Sequence, residues 1–195
     1  MRTVRLRLAL LLPLVLLLVG TRAGHFEALP DASWAVFFAA GYYLRAHLLL
    51  SFMLLFGTAV LVDAWVIEAQ GLGFFEHYCV SPAYWFLLPA YASLSAGGAW
   101  LARAGRGEPA RTLARLPLAL LTSFAVCFLL SNGSFYWLSG VVASPSFGGW
   151  LLNMSHWFLP FLGTTALWVG ILAILHALAI GLAGALAAVH RLRGA

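Results

Sequence analysis

Between positions 161 and 189 the chain carries no acidic residue, no lysine and no arginine, and a stretch of that kind constrains the fold before anything else is read. About 20 consecutive apolar residues cover the ~30 Å hydrocarbon core of a bilayer. A helix satisfies its own backbone hydrogen bonds there, whereas a lipid-exposed loop or open sheet edge does not. The rest of the chain agrees: 63% of its 195 residues are hydrophobic, 9% are charged, and the mean hydropathy is +0.95. The sequence predicts an all-α, polytopic membrane protein in which residues 1–195 form a single integral domain.

All 11 basic residues are arginines. Without lysine there is neither a Walker A phosphate-binding lysine nor a Schiff-base lysine, so the chain is not itself an ATPase or a pyridoxal enzyme. The net charge of +5 comes from arginines at the ends of apolar runs, not along a polar face. That placement fits a membrane surface and not nucleic acid. The two cysteines, Cys79 and Cys127, belong to no Cys-x-x-Cys pair and no zinc-finger spacing, which argues against a dithiol oxidoreductase.

Six transmembrane helices are expected, over residues 6–21, 33–44, 47–69, 82–102, 112–131 and 161–189. The second is too short to span unaided and must be tilted or sheltered by its neighbours. Arg2, Arg5 and Arg7 followed by an apolar run to Gly20 also read as a signal peptide cleaved after Ala23; we read the segment as a retained first helix, because the later topology closes only with it. An even number of spans then puts both termini in the cytoplasm. It also places Arg2, Arg5, Arg7, Arg45, Arg103, Arg106, Arg111, Arg115, Arg191 and Arg193 inside and leaves Arg22 alone outside. The acids fall the other way: Glu27, Asp31, Asp63, Glu68 and Glu76 lie near outer ends and Glu108 inside.

Polar and aromatic side chains collect in the outer connections, so the predicted fold is a bundle whose outer loops cap an outward-facing pocket. The segment 133–160 is too long for a simple hairpin. It is expected to fold back as a lid with a short interfacial helix bearing Trp150, Asn153, His156 and Trp157, and Pro160 is expected to open the sixth helix. Small residues at Ala173, Ala177, Gly181 and Ala185 permit close helix approach, most simply for internal packing, alternatively for docking to another membrane subunit.

Cys79 stands out chemically. It sits in Glu76-His77-Tyr78-Cys79-Val80-Ser81-Pro82, a polar loop before a proline-started helix. An incidental thiol is the plain reading, but an exposed, unpaired cysteine is a liability unless fold or ligand shields it. Cys127, among Phe124, Val126, Phe128 and Leu129, reads as a small buried hydrophobe. His77 and Cys79 make at best half a zinc site. His156 either lines the pocket or anchors at the interface beside Trp157, and His47 and His190 join the inner basic fringe. Asp63, one to two helical turns deeper than Glu68, is the better pocket candidate, because a lipid-facing carboxylate is costly. A rhomboid-type serine protease fails on its parts: no glycine follows Ser134, and His176 falls mid-helix without the expected glycine three residues on.

The size, six spans, inner N-terminus and outward pocket resemble the substrate-binding S-components of energy-coupling-factor vitamin transporters. Within them, Tyr78-Cys79-Val80-Ser81-Pro82 with Tyr84 and Trp85, and Ser131-Asn132-Gly133-Ser134-Phe135-Tyr136, are similar to the solitary cobalamin-specific branch, the BtuM family. The resemblance implies a bacterial inner-membrane protein that binds and takes up cobalamin (vitamin B12), with Cys79 as axial thiolate ligand to the cobalt. It also implies partnership with an ECF module of T-component and ATPases. One departure weakens that partnership: the first helix lacks the Ala-x-x-x-Ala surface that docks many S-components, so either solitary function or an unfamiliar docking contact is expected.

A corrin ring needs an apolar platform and amide partners, which Tyr84, Trp85, Phe135, Tyr136, Trp137 and Asn132 can supply. A strong donor on one axial face labilises the ligand opposite, so loss of cyanide from cyanocobalamin is a possible accompanying reaction. Two other readings remain open: an S-component for another vitamin with Cys79 incidental, and a membrane enzyme using Cys79 as nucleophile with His77 or His156 as base.

Overall fold

A computed structural model of the chain describes residues 2–24 and 30–193, with side chains over 9–24 and 30–186. The expectations for His25 and Glu27, and for the side chains of Arg2, Arg5, Arg7, His190, Arg191 and Arg193, lie outside the described residues. The described chain is all-helical: α1 (Arg2–Arg22), α2 (Ser33–Tyr43), α3 (Leu48–Ala69), α4 (Leu87–Ala104), α5 (Pro109–Leu138) and α6 (Phe147–Arg193). Short 3₁₀ turns lie at Arg45–His47, Phe74–Glu76 and Pro82–Phe86.

The core is built around the shortest helix. Residues 33–41 of α2 are all buried, with Ala35, Val36 and Phe37 wholly so. A helix apolar on every side belongs in the middle of a bundle, so the 11 residues of α2 are sheltered as expected. Its closest neighbour is α4, and two glycines make that crossing possible. A Cβ on Gly41 would land on the Ser95 carbonyl, and one on Gly98 would land on the carbonyl of Phe38. The Ser95 hydroxyl then donates across the contact to the Phe37 carbonyl at 3.2 Å. On the other side of α4, Gly97 faces Ser123 of α5. Trp34, Phe124, Phe128, Phe158 and Phe161 close the core between α2, α5 and α6 with ring centroids 5.1–6.5 Å apart.

The exterior is apolar. Leu49, Leu61, Trp65, Leu113, Leu118, Leu152 and Leu159 are all exposed by more than half, a surface that water does not favour and hydrocarbon does. Among the described residues, three helical segments are long and apolar enough to cross a membrane: Arg45–Ala69, Pro109–Leu138 and Phe147–Leu186. Ala9–Arg22 is a shorter apolar helix.

The region expected as a lid is helical instead. Helix α5 continues through the Asn132-Gly133-Ser134 segment to Leu138, α6 begins at Phe147, and only residues 139–146 connect them. Pro160 therefore lies inside α6 and does not start it. Packing outweighs the proline here. Trp150, Met154 and Phe158 recur at four-residue spacing on the face that meets the core, and apolar neighbours tolerate the one backbone bond that Pro160 forfeits to the His156 carbonyl.

Candidate functional site

One end of the bundle gathers the C-terminal ends of α1, α3 and α5 with the N-terminal ends of α2, α4 and α6. A buried polar network holds that end together. Arg22, last residue of α1 and 7% exposed, grips Asp63 of α3 with two parallel bonds. Its Nε donates to Oδ1 and its Nη2 to Oδ2, both at 2.7 Å. The third guanidinium nitrogen, Nη1, donates to Ser33 Oγ at 3.0 Å and Tyr91 Oη at 3.0 Å, and reaches Asp31 Oδ2 at 3.5 Å. The planar fork of arginine suits such a bidentate carboxylate. The Ser33 backbone N–H donates to Asp31 Oδ1 at 2.8 Å, which draws the same cluster onto the start of α2.

Asp63 also receives the Tyr84 hydroxyl on Oδ2 at 2.7 Å. Its carboxylate is thus committed to Arg22 and Tyr84, and it reaches the Cys79 loop through Tyr84. The exception in the arginine distribution and the deeper of the two α3 carboxylates are partners. Glu68, by contrast, is exposed.

Cys79 lies half-buried in the bend between the turns at Phe74–Glu76 and Pro82–Phe86. The loop is braced locally: Val80 N–H donates to the His77 carbonyl at 2.9 Å, Cys79 N–H to His77 Nδ1 at 3.3 Å, and Tyr84 N–H to the Ser81 carbonyl at 2.9 Å. Burial pushes the thiol above its ordinary range. The Tyr78 hydroxyl draws it down, and the Asp63 carboxylate adds to the rise. Glu76, the acid nearest to Cys79 in sequence, is exposed and accepts from the Gly73 N–H at 3.3 Å.

The other expected site residues divide into two groups. Tyr84 is buried and Trp85 exposed on a turn that packs against α5. On the last turns of α5, Asn132 accepts from Asn153 Nδ2 at 3.4 Å. Tyr136 is buried, with its hydroxyl donating to the Ser146 carbonyl and accepting from the Ser146 N–H, each at 3.2 Å. Phe135 is half-buried and Trp137 exposed, edge-on to Tyr136. His156 is exposed on α6 with its ring 5.1 Å from that of Trp157, and among the described residues no hydrogen bond or ring contact joins it to the Cys79 loop.

Two polar atoms at this end are buried without a hydrogen-bond partner among the described residues, Ser81 Oγ and Trp150 Nε1. The sequence placed Ser81 in the Cys79 loop and Trp150 on the expected lid helix, but only the fold reveals that these atoms are shielded. Among the described residues, no three His, Cys, Asp or Glu side chains converge on a metal-sized site.

An apolar cavity of about 80 Å³ lies toward the opposite end. It is bounded by Tyr42 and Tyr43 of α2, Leu101 of α4, Thr112 and Leu116 of α5, and His176 of α6. The His176 ring stands 6.1 Å from Tyr42 and 5.5 Å from Tyr43. Compared with protein-family models and with curated proteins, the chain matches none.

Proposed function

We propose that this protein is a membrane-embedded cobalamin-binding and uptake component in which the Cys79 thiolate is the axial ligand to cobalt. The observation that carries this reading is the placing of Cys79. The thiol is half-buried at the bundle end where the helix termini converge, and the turn that follows it packs on α5. Corrinoid cobalt brings four equatorial nitrogens and needs only one soft donor from the protein, so a single cysteine suffices where a bare ion would need several.

The surroundings suit the ligand. Trp85, Phe135 and Trp137 present aromatic surface. The direction of the thiol pKa disfavours the nucleophile reading, since an enzyme needs the thiolate ready at neutral pH, whereas cobalt generates it on binding. Donation from sulfur weakens the bond to the axial ligand opposite, and loss of cyanide from cyanocobalamin is the reaction that would accompany binding.

In the membrane we propose six spans, with α2 carried inside the bundle, both termini cytoplasmic, and the Cys79 end facing outward in a bacterial inner membrane. The resemblance to the BtuM family of S-components fits this arrangement. Helix α1 has Pro13 in its interior and no Ala-x-x-x-Ala pair, which favours uptake without the usual ECF docking.

The test is the visible spectrum. The purified protein mixed with cyanocobalamin or hydroxocobalamin should show shifted corrin bands. Cys79→Ser should lose the shift, because a hydroxyl is a far poorer donor, and Cys127→Ala should keep it. An unaltered spectrum in Cys79→Ser, with binding retained, removes the axial assignment.

A further inference from the structure

Arg22 is the one arginine that the charge distribution leaves at the Cys79 end, and its guanidinium is among the most heavily bonded side chains there. It touches residues from three other helices, and nothing about a topological anchor requires that. Its bonds run in a chain. Two parallel N–H bonds at 2.7 Å fix the plane of the Asp63 carboxylate. The fixed Oδ2 then receives the Tyr84 hydroxyl at 2.7 Å. Tyr84 belongs to a 3₁₀ turn that Pro82 starts and that the Ser81 carbonyl closes, so fixing the ring fixes a short, stiff piece of chain. Among the described residues, the Tyr84 hydroxyl is the one side-chain hydrogen bond from residues 77–86 to another element.

We propose that Arg22 is a positioning residue for Cys79: acting through Asp63 and Tyr84, it holds the 77–86 loop so that the thiol is presented at one place and depth before any ligand arrives. The purpose of that presentation rests on the cobalamin reading above; the mechanical linkage does not. Arg22 itself touches no ligand. Ser33, Tyr91 and Asp31 hold its far side, which anchors the chain of bonds to the starts of α2 and α4. Pre-organisation of this kind spares the ligand the ordering of a loop on binding.

The experiment measures loop order directly. With Cys127→Ala as background, a nitroxide on Cys79 of the ligand-free, full-length protein reports the mobility of the loop. A second nitroxide, on Ser144→Cys with Cys79→Ala, reports the connection between α5 and α6. The Cys79 label should be restricted in the parent. It should become severalfold more mobile in Arg22→Gln and in Tyr84→Phe, and stay near the parent in Arg22→Lys, which retains one charged donor to Asp63. The Ser144 label should not change in any of them.

Tyr84→Phe cuts only the last link, so it decides alone if Arg22→Gln fails to fold. Equal mobility at Cys79 in the parent and a folded Tyr84→Phe overturns the proposal, as does a loosening that appears equally at Ser144. Hydroxocobalamin added to the unlabelled proteins separates the two ideas. A loosened loop in a protein whose parent gives no spectral shift keeps the positioning role and removes cobalamin. A parent shift without loosening does the reverse.

Discussion

A guanidinium and a carboxylate taken out of water are each costly alone, and the Arg22–Asp63 pair is tolerable because both members keep further hydrogen bonds. Breaking a buried pair leaves an uncompensated charge, a loss of about 3–5 kcal/mol. Arg22→Ala or Asp63→Ala should therefore lower unfolding stability by that order in a denaturant titration. Removing the exposed Glu108–Arg111 pair, 3.4 Å apart, should change it by less than about 1 kcal/mol. Cys79 gives a second expectation at this scale. A folded-state pKa raised by burial keeps the thiol protonated to higher pH, so alkylation of the ligand-free protein should still accelerate where a free cysteine has reached its plateau. A rate already level at neutral pH would reverse the assigned direction and favour a nucleophilic role.

At the scale of elements, the α2–α4 crossing depends on absent side chains. Gly98→Ala forces a methyl group onto the Phe38 carbonyl and should cost about 1–3 kcal/mol or more. Gly163→Ala, in a helical position with open space around it, should instead gain about 0.5–1 kcal/mol. Thermal unfolding of the two variants in the same detergent checks the contrast. Because α6 runs unbroken through Pro160, Pro160→Ala should preserve the fold and raise the unfolding temperature; a loss of structure would show that the proline marks a boundary.

These helices also show what the sequence could and could not tell. The ends of α2 and α3 were legible to within a residue or so, since Arg45 and His47 interrupt the apolar run between them. The joining of 133–160 into α5 and α6 was not, because Gly133, Pro145 and Pro160 are turn signals taken one by one. The four-residue spacing of Trp150, Met154 and Phe158 that overrides them has meaning only once a core exists to receive it. Cys79 could be singled out from its neighbours, and Asp63 from its depth. Arg22 could not be joined to Asp63, because pairing across 41 positions leaves no local pattern.

For the molecule as a whole, the helix order places residues 105–108 at one end and 139–146 at the other. Single cysteines introduced at Gly107 and Ser144, in a background without Cys79 and Cys127, should react with an impermeant reagent from opposite sides of the membrane. Ser144 should be the one reached from outside. Labelling of both from one side would dismantle the spanning arrangement.

The Arg22–Asp63 pair also bears on how such a chain is made. In the spanning arrangement proposed above, synthesis delivers α1 to the membrane with its guanidinium in place while the matching carboxylate, 41 residues later, has still to be translated. Until α3 emerges, the charge must be held at the lipid headgroups or by the insertion machinery, so α1 has no settled depth of its own. Its final seat is fixed only when α3 arrives. A ribosome-stalled chain ending before Asp63 should accordingly leave Arg22 exposed to water, and one long enough to release α3 should withdraw it.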